Sequence, residues 1–292
     1  MKSLIVGMGF GEAVYKPVLN QLGAEVVTVD LTKPADFKTV EEAISVHSHF
    51  DTVNICTPNF THEDIARRVA GNSSIVFVEK PGVRNSAAWE SLVNSFPKTN
   101  FMMVKNNQYR DSIKQFKELA DRSNLVKIVW DNKNRIPHPG SWFTNKELSF
   151  GGVSRDLLPH MLSYYTCLTD YQHGVMLFSN SEQNHSLESI DSTDYGVINP
   201  AGVYNVDDYA ELQYSNLSTT WVLSANWKDD LADDVHIYFD TGERIVIEPL
   251  GLCPEGAYKT MIETAVANLN NKGFWKEQFQ QDLWIHRQLE IL

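Results

Sequence analysis

Residues 3–19 read SLIVGMGFGEAVYKPVL: an apolar run, three glycines at alternate positions, then an amphipathic stretch. Leu4 to Val6 has the pattern of a buried strand, Gly7, Gly9 and Gly11 form a turn, and a helix follows. Such a turn lets the backbone approach a phosphate, whose charge the helix N-terminus attracts. The dinucleotide fingerprint is GxGxxG, whereas this chain reads GxGxGE, with Glu12 at the third small position between Gly11 and Ala13. A carboxylate there repels a pyrophosphate unless it points away, or unless Ala13 supplies the close packing against the strand. Gly7, Met8, Gly9, Phe10 and Gly11 are the candidate phosphate contacts. AEVVTVD is a second strand ending at Asp30, 23 residues after Gly7. An acid at that distance accepts a hydrogen bond from a ribose 2′-hydroxyl and repels a 2′-phosphate, favouring NAD. Lys33 is close enough to meet a phosphate, so NADP stays open.

The unit then repeats. Thr52 to Cys56 reads as a strand, Thr57-Pro58-Asn59 as a turn and His62 to Ala70 as a helix, and SSIVFVEKP is the next strand. Strands alternating with helices mean parallel βαβ units, whose ligands bind at the carboxyl ends of the strands. The glycine turn, Asp30, Thr57–Asn59, Glu79 and Lys80 therefore fall on one rim, and His62, at a helix start, is placed to cap it or touch the cofactor, with a purely structural role as open. Asn107, Tyr109 and Arg110, after the strand in FMMVKNN, join them. Only 19 residues separate Asp30 from Phe50, room for one helix and at most a short strand. A sheet trimmed on its adenosine side is expected.

The second half changes character. LVKIVWDN and segments near 172–179, 207–216, 219–228, 234–240 and 243–249 alternate or are rich in β-branched and aromatic residues, as in an antiparallel sheet. One face of such a sheet needs covering, which a partner subunit could supply. Residues 180–205 are polar and read as a long loop of the kind that often serves as a lid. Phe274 to Leu292 has helical spacing. In GGVSRDLLPHML, Pro159 belongs in a helix's first turn, so the helix should begin close to Asp156 and bring Asp156 and His160 to one side. The domains expected are 1–122 and 123–292, with the final helix able to pack back on the first.

The net charge of −12 and the lack of a Lys/Arg cluster exclude nucleic acid and anionic membranes as expected partners. Cys56, Cys167 and Cys253 lie far apart, as in a reducing cytoplasm. No run approaches the roughly 20 apolar residues that cross a bilayer. No histidine or acid spacing suggests a metal.

GMGFG, ICTPNFTHEDIA, VFVEKP and GGVSRDLLPH occur here in the order seen in the glucose–fructose oxidoreductase, inositol dehydrogenase and MocA family, which residues 1–170 resemble. The resemblance implies an α/β chain: an N-terminal Rossmann dinucleotide-binding domain and a C-terminal α+β domain with a large open antiparallel sheet. It implies hydride exchange between nicotinamide and a carbinol carbon of a sugar or cyclitol, and homo-oligomers built through the sheet. By motif position Lys80, Asp156 and His160 resemble the family's lysine, acid and histidine. His160 would then be the base, Asp156 its orienting partner, and Lys80 the positive charge on the developing alkoxide. Phe150 departs from the family's usual glycine. Tyr109, Trp142 and Arg155 are candidate substrate contacts, Trp142 as a sugar-stacking wall and Arg155 for an anionic substituent. Two alternatives keep the fold: an enzyme that retains NAD for transient oxidation, and a silent dinucleotide-binding regulator.

Overall fold

In the computed structural model the described residues are 1–228, 235–247 and 255–292. They divide into two units: Met1–Tyr109 with Cys253–Arg287, and Arg110–Leu252 with Gln288–Leu292.

The first unit carries five parallel strands, β1 (Lys2–Val6), β2 (Glu25–Val29), β3 (Phe50–Ile55), β4 (Ser73–Val78) and β5 (Asn100–Met103), in the order β2-β1-β3-β4-β5. Between them run α1 (Lys16–Gln21), α2 (Val40–His47), α3 (His62–Ala70) and α4 (Ser86–Ser95). Beyond β2 the sheet ends in one isolated parallel bridge, Val29 to Phe37, because the short connection to β3 is spent on α2. Thr39 and Glu42 close a reciprocal capping box at the start of α2, satisfying its free N–H groups. Alternation along the strands puts Ile5, Ile75, Phe77 and Met102 in one buried cluster with Val18 and Leu19. Tyr258, Met261, Ile262 and Ala265, far along the chain, complete that cluster.

The second unit holds α5 (Ile113–Ala120), β6 (Leu125–Asp131), α6 (Lys146–Ser149), α7 (Val153–Asp156), α8 (Leu158–Leu168), β7 (Val175–Glu182), β8 (Tyr209–Asn216), β9 (Thr219–Asn226), β10 (Val235–Phe239) and β11 (Arg244–Ile247). The strands form a six-stranded sheet in the order β11-β10-β6-β9-β8-β7, antiparallel except for β6 against β9. One face packs on α5 and α8: Phe116 lies 5.4 Å from Tyr164 and 6.1 Å from Trp221, and Tyr165 stacks on Tyr214 at 4.8 Å. Strict alternation of buried and half-buried residues in β8 marks that face. β7 starts three residues later than its composition suggested, because Tyr171–His173 form a 3-10 turn first. Positions 234, 248 and 249 of the expected strands, like Cys253, fall outside the described residues. Two helices of the C-terminal stretch belong mainly to the first unit: α9 (Glu255–Ala267) and α10 (Lys272–Leu289).

The polar segment expected to be a long loop is docked. Its backbone is hydrogen-bonded to the 134–144 segment by Asp194 N to Asn134 O, His138 N to Tyr195 O, Asn199 N to Pro139 O and Asn205 N to Thr144 O, all at 2.8–3.0 Å. Asp208, buried at its base, accepts from the N–H groups of Asn184 and His185, and Tyr204 Oη donates to the same carboxylate.

Candidate active site

The parallel register decides what shares the rim of the first unit. Val6 is level with Val29 and Ile55, Ile55 with Val78, and Val78 with Met103. The next residues out are therefore Asp30, Gly7, Cys56, Glu79 and Val104. Their N–H groups donate across strand ends: Gly7 to Val29 O, Cys56 to Val6 O, Glu79 to Ile55 O and Val104 to Val78 O.

The glycine turn fits a dinucleotide. Gly7 has φ +98°, and a Cβ there would lie 2.7 Å from Cys56 O. A Cβ on Gly11 would lie 2.5 Å from Ile5 Cγ2, so Gly11 provides the close helix–strand packing. Ala13 is exposed and cannot do so. Gly9 is open, with Lys33 Nζ as its one near neighbour at 3.6 Å, which leaves room for backbone and ammonium to face a phosphate. Glu12 points outward and pairs with Lys16 at 3.7 Å, removing the conflict its carboxylate posed. The chain passes through a π-helical turn, Gly11–Tyr15, before α1. Met8 turns its side chain into the core, and Phe10 is 38% exposed. Asp30 accepts from Met8 N (2.8 Å), Thr32 N (2.8 Å) and Lys33 N (2.7 Å). Burial pushes its carboxyl pKa up, but these N–H bonds outweigh that and hold it below the ordinary value. Asp30 thus braces the glycine turn.

Glu79 and Lys80 follow β4, and the Lys80–Pro81 bond is cis. Glu79 is buried; its Oε1 accepts from Tyr15 Oη at 2.8 Å and Tyr258 Oη at 3.3 Å, and its Oε2 from Lys80 N at 3.2 Å. Burial raises its pKa, against the lowering pull of Lys80 and the two phenols. His62 is fully buried, with Nδ1 2.8 Å from Gly82 O and Nε2 2.8 Å from Thr57 O. It ties the Thr57-Pro58-Asn59 turn to the loop that carries Lys80. Burial drives its pKa down, and a neutral ring has one N–H to give the two carbonyls. On the other side of that loop, His286 Nε2 accepts from Val83 N (3.2 Å), while its Nδ1 donates to Asp282 O (2.7 Å). Gly82, at φ +84°, leaves no space for a Cβ against that ring.

Past β5, Asn107 is buried and Tyr109 packs against the Tyr258 cluster. Between β5 and Asn107 lies a residue that sequence reasoning passed over. Asn106 is fully buried, and neither its carboxamide oxygen nor its nitrogen has a hydrogen-bond partner. Buried polar groups are ordinarily paired, so an idle carboxamide at a ligand rim fits a ligand's polar group.

In the second unit, Gly152 N and Ser154 N donate to the two oxygens of Asp207, at 2.9 and 2.7 Å, which caps α7 from outside. Phe150 takes the glycine-like φ of +73° at the end of α6. Asp156 closes α7 and His160 sits in α8, so the expected single helix is split at Leu157: Pro159 has no N–H to continue the ladder. Two tryptophans, both missed from sequence, back the pair. Trp227 Nε1 donates to Asp156 Oδ2 at 3.0 Å, and the Trp130 ring lies 5.4 Å from that of buried His160. Trp130 is level with Ala225 in the β6–β9 ladder, two residues before Trp227, which no one-dimensional pattern displays. Arg155 folds back, its Nε donating to Phe150 O at 3.2 Å; burial lowers its pKa while Asp207 and Glu290 raise it. Trp142 is half-buried and stacked on Phe143 at 3.8 Å. Among the described residues no group of three or more His, Cys, Asp or Glu could hold a metal ion. No helix there is long and apolar enough to cross a membrane.

Comparison with known proteins agrees with this geometry. The family model described as "Oxidoreductase family, NAD-binding Rossmann fold" matches residues 1–106. An Amycolatopsis mediterranei (strain S699) protein, provisionally named UDP-kanosamine synthase oxidoreductase subunit, is 25% identical over 178 residues, 56% of this chain and 50% of its own. The chain spans about half the length, or less, of the curated relatives it matches. Among solved structures, GenD2 from gentamicin A biosynthesis, in complex with NAD, superposes with a TM-score of 0.76 at 16% identity, covering 99% of this chain and 92% of that one. D-galactose-1-dehydrogenase from Rhizobium etli gives 0.72 at 15% identity, covering 99% and 94%. Residues 1–106, the NAD-binding Rossmann domain, are thus similar to the Gfo/Idh/MocA oxidoreductases.

Proposed function

We propose that the chain is an NAD-dependent dehydrogenase acting on a hydroxyl-bearing carbon of a sugar, cyclitol or related polyol. The glycine turn, Asp30 and Asn106 would hold the dinucleotide, which when bound supplies the hydride acceptor. Lys80, at the end of β4, would keep a positive charge against the alkoxide that forms as the carbinol loses its proton. His160 would take that proton; an imidazole's ordinary pKa of about 6.5 suits neutral pH. Asp156 would orient the ring and stabilise its cation, with Trp227 fixing the carboxylate. The observation that carries this reading is the rim of the first unit, where Lys80 follows β4, whose last residue is level through Ile55 with Val6, next to a glycine turn built for close approach. The relatives named for sugar chemistry support a carbohydrate substrate, with Trp142 as a stacking surface and Arg155 as a contact. On edge strand β7, Val175, Leu177 and Phe178 are 62%, 55% and 46% exposed, which supports a second copy of the chain as partner.

The test is a panel of sugars, inositols and nucleotide-sugars assayed by NADH absorbance, with His160→Ala alongside. The variant should lose roughly 10²–10⁴ in turnover while binding NAD as before. Unchanged turnover would remove His160 from the chemistry. Tightly held NAD that turns over without net NADH release would favour transient oxidation.

A further inference from the structure

Glu79 is an unusual neighbour for a working lysine. Its carboxylate is 8% exposed and reached by three donors: two phenols on one oxygen and the Lys80 backbone N–H on the other. The two phenol rings meet edge to face at 5.1 Å, so they enclose the carboxylate as one aromatic wall. They come from opposite ends of the chain, Tyr15 from the π-helical turn and Tyr258 from α9. A carboxylate this buried needs a nearby cation or several hydrogen bonds to stay ionised. Burial leaves its carboxyl pKa raised on balance, and the charge of the neighbouring Lys80 pulls it back down.

We propose that Tyr15 and Tyr258 are positioning residues that hold Glu79 as the fixed counter-charge keeping Lys80 an ammonium ion. The proposal deepens the dehydrogenase reading and rests on it for the purpose of that ammonium. A lysine at a rim beside a hydrophobic cluster tends to lose its proton, since burial disfavours the charged form. A carboxylate locked behind it opposes that tendency without itself facing substrate. The other titratable groups here do not share the task. Cys56 is a thiol that burial keeps protonated, and Tyr15 is held protonated by burial and by Glu79. His62, which also feels Lys80, is pushed toward its neutral form. The two phenols therefore donate and never compete for the negative charge.

The experiment reads the charge of Lys80 directly, without turnover. Full-length protein is labelled with trace acetic anhydride from pH 6 to 11, and modification of Lys80 is quantified by mass spectrometry against the exposed Lys98. Only the neutral amine reacts, so the labelling midpoint is the lysine's pKa. Glu79→Gln preserves shape and hydrogen-bonding capacity while removing the charge. It should lower the Lys80 midpoint by about one to three pH units, the range an adjacent opposite charge commands. Below the midpoint, that is at least tenfold faster labelling. Tyr15→Phe/Tyr258→Phe keeps both rings and should shift the midpoint the same way by a smaller amount, because the carboxylate loses both donors on Oε1. An unchanged midpoint in Glu79→Gln overturns the proposal; an unchanged midpoint in the double phenylalanine variant removes the phenols from it. A shifted midpoint in a protein that reduces NAD with no carbinol substrate would instead sink the dehydrogenase reading and leave the counter-charge standing.

Discussion

Lys105 and Asp282 form an ion pair with both side chains 0% exposed, and it joins the end of β5 to the middle of α10. Replacing Lys105 by Met keeps most of the volume and leaves Asp282 buried with Met103 N as its donor at 2.9 Å. Breaking a buried pair by removing one partner costs about 3–5 kcal/mol, because the remaining charge has neither water nor counter-ion. At about 2–4 °C per kcal/mol for a domain of this size, the melting temperature should fall by roughly 6–20 °C. The pH dependence carries the mechanism. Burial already pushes the Asp282 carboxyl above its ordinary range while Lys105 pulls it down, so losing Lys105 raises it further. A carboxyl whose folded pKa exceeds its unfolded value stabilises the fold most below the unfolded value, and that stability is lost as pH rises through the folded one. The deficit of Lys105→Met relative to wild type should therefore be largest at pH 8 and shrink toward pH 5. Urea unfolding followed by tryptophan fluorescence at several pH values measures it. Lys105→Met/Asp282→Leu, which removes both charges, should recover most of the loss. A deficit below about 1 kcal/mol, or one that grows on acidification, would refute the reasoning.

Trp227→Phe removes the indole N–H that Asp156 accepts; a hydrogen bond to a charged group is worth about 1.5–3 kcal/mol, so kcat should fall roughly 10- to 100-fold with KM little changed. A change confined to KM would contradict the assigned role. Asn106→Leu replaces an unpaired buried carboxamide with an apolar side chain of similar size, and should leave the melting temperature unchanged or higher while weakening NAD affinity by about tenfold, read by calorimetry. Undiminished affinity would mean the carboxamide has no ligand.

What the sequence displayed, and what it hid, follows from how far apart the interacting residues are. The glycine turn, Asp30 and the EKP corner were legible because each is a strand end, and strand ends in a parallel sheet share a rim whatever the loops do. The helix carrying Asp156 and His160 was legible from its spacing, and its break at Leu157 follows from Pro159. The polarity of 180–205 announced a loop but not its docking, because polarity registers exposure and the segment is held by backbone bonds to residues about 60 positions earlier. Trp227 reaches Asp156 across 71 positions, through a sheet register that only the paired strands define.

The C-terminal helices make the same point with more consequence. Apolar spacing announced the second of them from Phe274 on and left α9 unread, and the residues that matter to the rim are polar ones on the buried side. Tyr258 lies 179 positions from Glu79, Asp282 177 from Lys105, and His286 203 from Val83. Each bond closes on the first unit's sheet or on the loop that carries Lys80. Closing a chain over such lengths costs little more than closing a short loop, since the entropy grows only with the logarithm of length. A distant segment can therefore supply the rim's supports at modest cost, which is how helices far along the chain come to hold Glu79 and Val83, on either side of Lys80. Shortening α10 by its last turn and a half would remove His286, the acceptor for Val83 N; acetic anhydride labelling of Lys80 should then change while that of Lys33, beside the glycine turn, should not, and unchanged Lys80 labelling would refute this support.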